Sequence, residues 1–521
     1  MSELSNKKLL VDNTLWVYAG KIITQLLGLL ATVLVIRKLP VDLYGTYLFI
    51  FGLFFVYQLF ITSPLKNLIL RFIPELIEKK NYASVKKLLT ISVLLSYSLI
   101  TCFSFLLYVF HDRFALFFNI DNFELHLIAF LIFVYCYALK VLSESIISSF
   151  LKHKISAQAN VAVVIFRAAS YLILLKYINV NVLLYIEAVG ALIYTSIAGY
   201  GIFNVFKKWR LIPSENANAF DVKKRVRRFY LLSFFSELGY GIIGRTSDHY
   251  IIAAMSSPFY VGLYGFALKI FEVFYKVLPF REFESVLKPV FFKRFSKSGN
   301  PVELNEFYTF TLKVLLPLFM LPFLYFSLFG KGIIIYVFEA KYLPAFWVTC
   351  ITLFGILING VFYPLNFVIQ LKERIEINLY SRIVVVFSIV AGIYFMKLFG
   401  IVGVATATML GELFKNLFML YMLKRYVVIK YSKIMLIRYG LLMMAILTVF
   451  IPFSSYYLSI GGLIIGSVMF SVFFVLLLLN IHPFSLMELE KLESVVVSSD
   501  KLKKLYLKFK PMLRVMVLKT N

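Results

Sequence analysis

Residues 439–487 read YGLLMMAILTVFIPFSSYYLSIGGLIIGSVMFSVFFVLLLLNIHPFSLM, without a single Asp, Glu, Lys or Arg. A helix that crosses the hydrocarbon core of a bilayer needs about 20 mostly apolar residues. This stretch is long enough for two such helices. The segment from Pro452 to Gly462, which contains Ser, Tyr and paired Gly residues, predicts a break between them. The sequence therefore predicts a hairpin of two membrane-spanning helices here.

The whole chain of 521 residues has the same character, since 61% of its residues are hydrophobic and 16% are charged. Soluble domains contain roughly 45–50% apolar residues, so we exclude a soluble globular protein. The cysteines Cys102, Cys136 and Cys350 lie in separate apolar runs. They have neither the spacing of metal ligands nor that of a disulfide framework. We therefore predict no metal site and no thiol chemistry.

Reading the chain for apolar runs predicts an all-α integral membrane fold with about fourteen membrane-spanning helices. We expect two pseudo-symmetric six-helix lobes followed by two extra C-terminal helices. The spans are predicted near residues 14–36, 44–65, 88–110, 125–147, 158–175, 182–205, 230–255, 260–280, 307–329, 345–370, 378–396, 401–421, 439–452 and 460–481. The domains are predicted as an N-lobe (1–205), a basic cytoplasmic linker (206–229), a C-lobe (230–425), the last two spans (426–482) and a basic tail (483–521).

The distribution of Lys and Arg predicts the orientation in the membrane. With both termini in the cytoplasm, the inner loops hold 29 Lys and Arg residues and the outer loops hold 7, as the positive-inside rule requires. This bias accounts for most of the net charge of +27, so we predict no nucleic-acid partner. Lys7 and Lys8 precede the first span and no small-residue cleavage site follows it, which indicates a retained helix. We expect a multi-pass protein of the cytoplasmic membrane.

The tail after Pro483 has two interpretations. Leu502, Leu505, Tyr506 and Phe509 recur at helical spacing, which is typical of an amphipathic helix on the inner leaflet that binds anionic lipids. Alternatively, the tail is a solvated basic segment that follows the positive-inside bias.

A short internal repeat relates the two halves of the chain. Gly45-Thr-Tyr47 at the start of the second span matches Gly262-Leu-Tyr264 at the start of the eighth, and the same shift places Arg71 on Lys288. Two such halves around a central cleft are a common transporter design, since rocking one half against the other exposes one site to each side in turn.

Several segments resemble the polysaccharide transport family of Wzx-type O-antigen and oligosaccharide flippases. Residues 36–47 (IRKLPVDLYGTY), followed by Leu70-Arg71, resemble the first hairpin of that family. Residues 247–252 (SDHYII) and 261–267 (VGLYGFA) resemble its seventh and eighth helices, and residues 400–408 (GIVGVATAT) resemble the start of its twelfth.

The resemblance implies a fourteen-helix exporter of the multidrug/oligosaccharidyl-lipid/polysaccharide superfamily. Such a flippase moves an undecaprenyl- or dolichyl-linked oligosaccharide from the inner to the outer leaflet, by alternating access, for polysaccharide biosynthesis. We expect a monomer, with anionic membrane lipids and a glycan polymerase or transferase as further partners. Likeness to the peptidoglycan-precursor branch suggests that the last two helices form a lipid-facing groove, although simple packing would be equally apolar.

Deep cations mark the predicted binding site. A charge at the bilayer centre costs at least ~2.5 kcal/mol, so such residues should face a wet cavity or a counter-charge. We predict a cationic central cavity for the lipid phosphates, because Arg and Lys side chains can replace the water around them. Its predicted residues are Lys21, Arg167, Arg245, Lys269 and Lys415. The alternative is neutralisation by acids one turn away on the same helix, as with Arg245 and Asp248 or Lys269 and Glu272.

Polar stripes on several spans supply candidates for lining the cavity and for energy coupling. These are Gln25, Glu237, Asp248, Glu272, Asn359, Asn366 and Glu412. Polar and small residues are also common at helix-packing seams, and for the tenth span the two interpretations stay open. We expect no cofactor, with coupling to H⁺, Na⁺ or the membrane potential.

An enzyme and a drug exporter are the alternative function classes. A glycosyltransferase or polymerase needs a positioned acid, base and nucleophile, and the short outer loops offer none, so we do not expect an enzyme. A multidrug exporter of the same superfamily is the stronger alternative. Cationic drugs favour buried acids, whereas the deep positions of the first six spans hold two acids, Glu144 and Glu187, against three cations, Lys21, Lys140 and Arg167.

Overall fold

The computed structural model describes residues 24–209, 219–242, 246–277, 301–372, 374, 376–427 and 433–480, and the regular structure within these ranges is helical without strands. The predicted all-α fold of a multi-pass membrane protein is therefore confirmed. The predicted tail and the residues Lys21, Arg245 and Lys288 lie outside the described ranges.

The chain divides into two compact units, Met1–Gly265 (unit 1) and Phe266–Asn521 (unit 2). The helices of unit 1 are α1 (24–38), α2 (Val41–Tyr57), α3 (Ser63–Glu78), α4 (Tyr82–Val109), α5 (His111–Phe117), α6 (Glu124–Ser149), α7 (His153–Ile173), α8 (Val180–Trp209), α9 (Ala219–Ile242), α10 (Thr246–Met255) and the first turns of α11 (Pro258–Val277). A π-helical turn, Gln58–Thr62, joins α2 to α3 into one continuous helical span.

Unit 2 contains the rest of α11 and the helices that follow it. These are α12 (Pro301–Ile333), α13 (Phe346–Phe362), α14 (Leu365–Leu371), α15 (Glu376–Leu423), α16 (Lys433–Phe450) and α17 (Ile460–Asn480). Shorter turns connect some of them, namely the π-helical turn Ile334–Phe338 and the 3₁₀ turns Ala340–Ala345, Ile451–Phe453 and Tyr456–Leu458.

Side chains that accept hydrogen bonds from free backbone N–H groups define several helix starts. Asn81 accepts from the N–H of Ser84 at the start of α4, at 3.0 Å. Ser459 accepts from the N–H of Gly462 at the start of α17, also at 3.0 Å. Pro258 is the first residue of α11, a position where the missing N–H costs nothing.

Ten helices in the described ranges are long and apolar enough to cross a membrane, so the count of fourteen spans stays a prediction. One of the ten, α15, consists of two helical limbs, 376–399 and 401–423, which meet at Gly400, where φ of 59° and ψ of −144° are not helical. The predicted break between the last two spans is confirmed, because the turns Ile451–Phe453 and Tyr456–Leu458 separate α16 from α17.

The helices extend into the predicted linker, residues 206–229, from both sides. Helix α8 continues to Trp209 and α9 begins at Ala219. The reason is packing, since the Phe229 ring of α9 meets the Phe72 ring of α3 edge to face, with centroids 5.5 Å apart. Apolar side chains in the described parts of this basic segment, among them Trp209, Val226 and Phe229, therefore pack against the buried cluster of unit 1 that includes residues of α3 and α4.

Small residues allow the helices of unit 1 to approach closely, as is usual where lipid supplies no hydrophobic driving force. The cluster between α6, α7 and α8 includes Ala159, Val163 and Ala198, which are almost completely buried. A Cβ atom added to Gly201 of α8 would lie 2.8 Å from Ile155 of α7. These contacts hold together the three helices that carry the candidate site.

Candidate functional site

An ion pair joins α7 to α8 within the membrane-spanning part of unit 1. Arg167 of α7 contacts the carboxylate of Glu187 on α8. The Glu187 side chain is 6% exposed and the Arg167 side chain 25%. The hydroxyl of Tyr171, one turn after Arg167, donates to the other carboxylate oxygen at 3.3 Å. The buried carboxylate of Glu187 therefore has both a cation and a neutral donor.

Tyrosine rings surround this pair and a second cation. The hydroxyl groups of Tyr47 and Tyr137 lie close enough to the Arg167 side chain to interact with it electrostatically. The Nζ atom of Lys140 lies 4.7 Å from the centre of the Tyr137 ring and 5.6 Å from that of Tyr194, within the range of cation–π attraction. We define the tyrosine–cation cluster as Tyr47, Tyr137, Lys140, Arg167, Tyr171, Glu187 and Tyr194.

The guanidinium of Arg167 has an unused donor. Its Nε atom is buried and has no hydrogen-bond partner. A buried donor without an acceptor costs about 1–3 kcal/mol, so such groups call for an explanation. A Cβ atom added to Gly190 would lie 3.8 Å from Nε, so this glycine is beside the donor. The cluster therefore contains a cation that can take one more anionic or carbonyl acceptor.

The first turns of α2 and α11 cross with their backbones in contact. A Cβ atom added to Gly45 would overlap the carbonyl oxygen of Pro258, and one added to Gly262 would overlap that of Val41. Side chains at either glycine would force the helices apart. This contact, the glycine crossing, joins the two repeat positions that the sequence matched.

Neighbouring contacts reinforce the glycine crossing. The Tyr250 hydroxyl of α10 donates to the carbonyl of Gly52 on α2 at 2.8 Å. The Tyr264 hydroxyl donates to the carboxylate of Asp248 at 2.5 Å, and both side chains are buried. Backbone packing, one buried hydrogen bond and one partly buried hydrogen bond thus hold the starts of α2, α10 and α11 together.

Two of the predicted polar residues, Glu237 and Gln25, lie in the described part of unit 1 and are not members of the tyrosine–cation cluster. The side-chain amide of Asn67 on α3 donates to the Glu237 carboxylate at 2.8 Å and to the Ser233 hydroxyl at 3.0 Å. Gln25 of α1 is partly buried. The sequence did not indicate Asn67, because a single amide in an apolar run carries no pattern.

The predicted residues of unit 2 pair mostly with near neighbours. Lys269 contacts Glu272 at 3.2 Å on the same helix, and Lys415 contacts Glu412 in the same way. The amide of Asn416 donates to Asn359 at 2.6 Å, and that of Asn366 reaches the carbonyl of Tyr363 at 3.5 Å. These pairs match the neutralisation and helix-packing alternatives.

The described members of the predicted cationic set, Arg167, Lys269 and Lys415, each have an acidic partner. Arg167 belongs to unit 1 and the two lysines to unit 2, so a single cavity that they share stays a prediction. Sequence reasoning did not pair Arg167 with Glu187. The available signal was that Glu187 is the deep acid of the span that follows Arg167.

A possible metal-ligand group lies between α5 and α6. The ligand atoms of His111, Asp112 and Glu124 lie within 4.8 Å of one another. Both carboxylates are exposed, and exposed acidic groups often cluster without a metal, so we assign no ion to them.

The sequence model of a family described as "Polysaccharide biosynthesis protein" matches residues 10–295. The match covers more than half of the chain, and the protein therefore belongs to this family. Comparison with curated proteins gave no match.

Solved structures share the fold over most of the chain. The inward closed conformation of the lipid II flippase MurJ aligns with a TM-score of 0.65 and 17% identity, covering 88% of this chain and 97% of that one. An inward-facing multidrug resistance MATE family transporter of the MOP superfamily aligns with a TM-score of 0.57 and 14% identity, covering 79% of this chain and 97% of that one. A point mutant of the Vibrio cholerae MATE transporter VcmN aligns with a TM-score of 0.52 and 10% identity, covering 80% of this chain and 97% of that one. These likenesses establish a fold that is similar to that of both flippases and drug transporters.

Proposed function

We propose that this member of the polysaccharide biosynthesis protein family is a flippase. Its cargo would be an oligosaccharide linked to a polyprenyl pyrophosphate or phosphate, which it moves from the inner to the outer leaflet of the cytoplasmic membrane. The observation that carries the proposal is the tyrosine–cation cluster, in which Arg167 and Lys140 lie inside helices long enough to cross a membrane and within the residues that match the family.

The chemistry of the cluster suits such a headgroup. Phosphate oxygens that leave water need charged donors, and an Arg fork or a Lys ammonium provides them. The Nε atom of Arg167 retains a donor while the same guanidinium contacts Glu187. Tyrosine offers an apolar ring and a hydroxyl, which match the two kinds of surface on a sugar.

The glycine crossing supports alternating access. It is formed by repeat-equivalent helix starts, and in the predicted orientation both lie at the outer surface. Closure there and opening at the other side would admit cargo from the inner leaflet. Separation of α2 from α11 would then release it outward, as in transporters built from two repeats.

The source of energy is part of the proposal. Each elementary charge that crosses the membrane is worth about 2.3 kcal/mol per 100 mV, and the phosphates of the cargo are charged. The ion pair of Glu187 with Arg167 links α7 to α8, so a change in this pair would act on the packing of both helices. Imposing a pH gradient, a Na⁺ gradient or a potential separately on vesicles distinguishes the three sources.

The test is transport by purified protein in vesicles. A fluorescent polyprenyl-pyrophosphate sugar is the cargo, and a cationic dye serves as the rival cargo for the multidrug-exporter alternative. We expect the lipid to move and the dye to stay. Movement of the dye without movement of the lipid would replace the flippase proposal by the exporter.

The role of the cluster is tested with the double variant Arg167→Gln/Glu187→Gln, which removes both charges together and leaves no unpaired ion. We expect lipid transport to fall at least tenfold, while the protein still purifies as a folded species. Lys66→Gln, at an exposed lysine of α3, is the matched control and should transport normally. Normal transport by the double variant would show that the pair only neutralises itself.

A further inference from the structure

Helix α15 forms a hairpin whose two limbs, 376–399 and 401–423, run antiparallel. Contacts at both ends and in the middle define this register. A Cβ atom added to Gly403 would overlap the carbonyl oxygen of Phe395, and one added to Gly411 would overlap the Cβ of Ser388. The Arg374 guanidinium lies 4.4 Å from the centre of the Tyr426 ring.

A groove of about 630 Å³ runs along this hairpin. Its volume is within the range of roughly 300–1,000 Å³ that small-molecule sites occupy. The lining residues recur at steps of three and four on both limbs, so each limb contributes one continuous face. Phe387, Phe414 and Tyr421 form part of its wall and are 70%, 56% and 60% exposed.

The groove faces away from the rest of unit 2. On the second limb the buried residues Ala405, Asn416 and Met419 lie on the opposite side of the helix from Phe414, since each residue advances by about 100°. Two further buried residues, Ala407 and Gly411, line the groove itself, where the two limbs meet. An apolar surface that faces outward from a membrane-spanning helix is covered by lipid chains. An apolar chain from the bilayer is the occupant that matches this lining.

Positive charge is concentrated at one end of the groove. Lys424 and Arg425 follow the second limb, both exposed, and the Arg425 guanidinium lies 5.8 Å from the centre of the Tyr421 ring. At the other end, residues 393–407 contain one charged residue, Lys397. A lipid with an anionic headgroup would place that group beside Lys424 and Arg425.

We propose that this groove binds the isoprenoid tail of a polyprenyl-phosphate lipid, with the phosphate at the Lys424–Arg425 end. The identification of the tail rests on the proposed function, because the cargo of that function carries such a chain. Ordinary lipid tails are equally apolar, so selectivity over them comes from the way the isoprenoid chain packs against the aromatic walls. This site differs from a groove on the last two helices, α16 and α17, which the family resemblance suggested.

The experiment is photo-crosslinking of the full-length protein in vesicles. One probe is a polyprenyl phosphate with a diazirine in its tail, and the other is phosphatidylglycerol with a diazirine in an acyl chain. We expect the polyprenyl probe to label residues 384–421, and an excess of unlabelled polyprenyl phosphate to suppress this labelling at least fivefold. An excess of phosphatidylglycerol should not suppress it.

Two variant pairs test the placement. Ala391→Phe fills the groove, whereas Val390→Phe adds the same ring at the neighbouring position, which is 64% exposed and does not line the groove. We expect roughly tenfold weaker labelling for Ala391→Phe and no change for Val390→Phe.

The double variant Lys424→Gln/Arg425→Gln tests the phosphate contact. It should also weaken labelling roughly tenfold, since both basic residues attract an anionic headgroup. Lys397→Gln, at the other end, should not.

Equal labelling by both probes without selective competition would overturn the proposal, because the groove would then hold any bilayer lipid. Labelling confined to α16 and α17 would overturn it as well. Failure of the proposed function gives a different result, in which the wild-type protein labels selectively in the groove and transports no lipid-linked sugar. That outcome would support the binding site as a property of the protein apart from transport.

Discussion

Asp248 is a carboxylate buried at the start of α10, and the hydroxyl of Tyr264 donates to it at 2.5 Å. Hydrogen bonds to charged groups contribute about 1.5–3 kcal/mol to stability, more than neutral ones. We therefore expect Tyr264→Phe to lower the free energy of unfolding by an amount in this range. Thermal unfolding of the purified protein in detergent measures the effect.

Tyr200→Phe is the control for this substitution, because Tyr200 is 72% exposed and its hydroxyl should contribute little. If both variants unfolded at the same temperature, the bond between Tyr264 and Asp248 would contribute nothing to the folded state.

Sequence reasoning at this scale succeeds where helix geometry alone sets the distance. Lys269 and Glu272 are three residues apart on one helix, so their possible contact follows from the spacing. Arg167 and Glu187 lie on different helices, and their contact depends on how α7 packs against α8. The residue types indicated a buried charge on each helix but not its partner.

The glycine crossing is a contact between elements, and its prediction concerns α2 and α11 as a pair. In Gly45→Ala the new methyl group would overlap the carbonyl of Pro258, so the helices must separate. Overpacking of this kind costs typically about 1–3 kcal/mol. We expect lower thermal stability together with slower lipid transport.

Gly199→Ala is the matched control for this change, because a Cβ atom added to Gly199 of α8 meets no atom within 4 Å. Equal stability and transport in the two variants would mean that the helix starts do not meet closely during function.

The hairpin of α15 depends on Gly400, whose φ of 59° is unfavourable for residues with a side chain. We expect Gly400→Ala to lower the free energy of unfolding by about 1 kcal/mol or more. Gly440→Ala in α16 should have the opposite sign, since the site is helical and open and Ala favours helices by up to about 1 kcal/mol. Thermal unfolding compares the two, and destabilisation of equal size would refute this explanation.

Apolar runs predicted the helices well because the bilayer sets their minimum length. The sequence predicted a helix over 345–370, whereas the structure divides it into α13 and α14 around Pro364. Proline lacks the N–H that a continuing helix needs, and in membrane helices such breaks depend on neighbours that satisfy the freed groups. The sequence of one apolar run does not show which residues of other helices will bond to these backbone groups.

At the scale of the whole molecule, the distribution of Lys and Arg predicts which ends of the helices face the cytoplasm. In a background without Cys102, Cys136 and Cys350, we expect Asp121→Cys to react with a membrane-impermeant maleimide on intact cells. Lys86→Cys should react only after lysis. Both positions are exposed, so accessibility within the protein does not confound the comparison, and the reverse pattern would invert the orientation.

Helix α15 reverses direction at the single residue Gly400, and this has a consequence at the surface. In the predicted orientation, the polypeptide between these two limbs barely emerges on the extracellular side. A protease acting on intact cells would find little extended peptide to cleave there, and an antibody would find little surface to bind. An affinity tag inserted at this position would have to unwind a helix, so tags belong in a different loop.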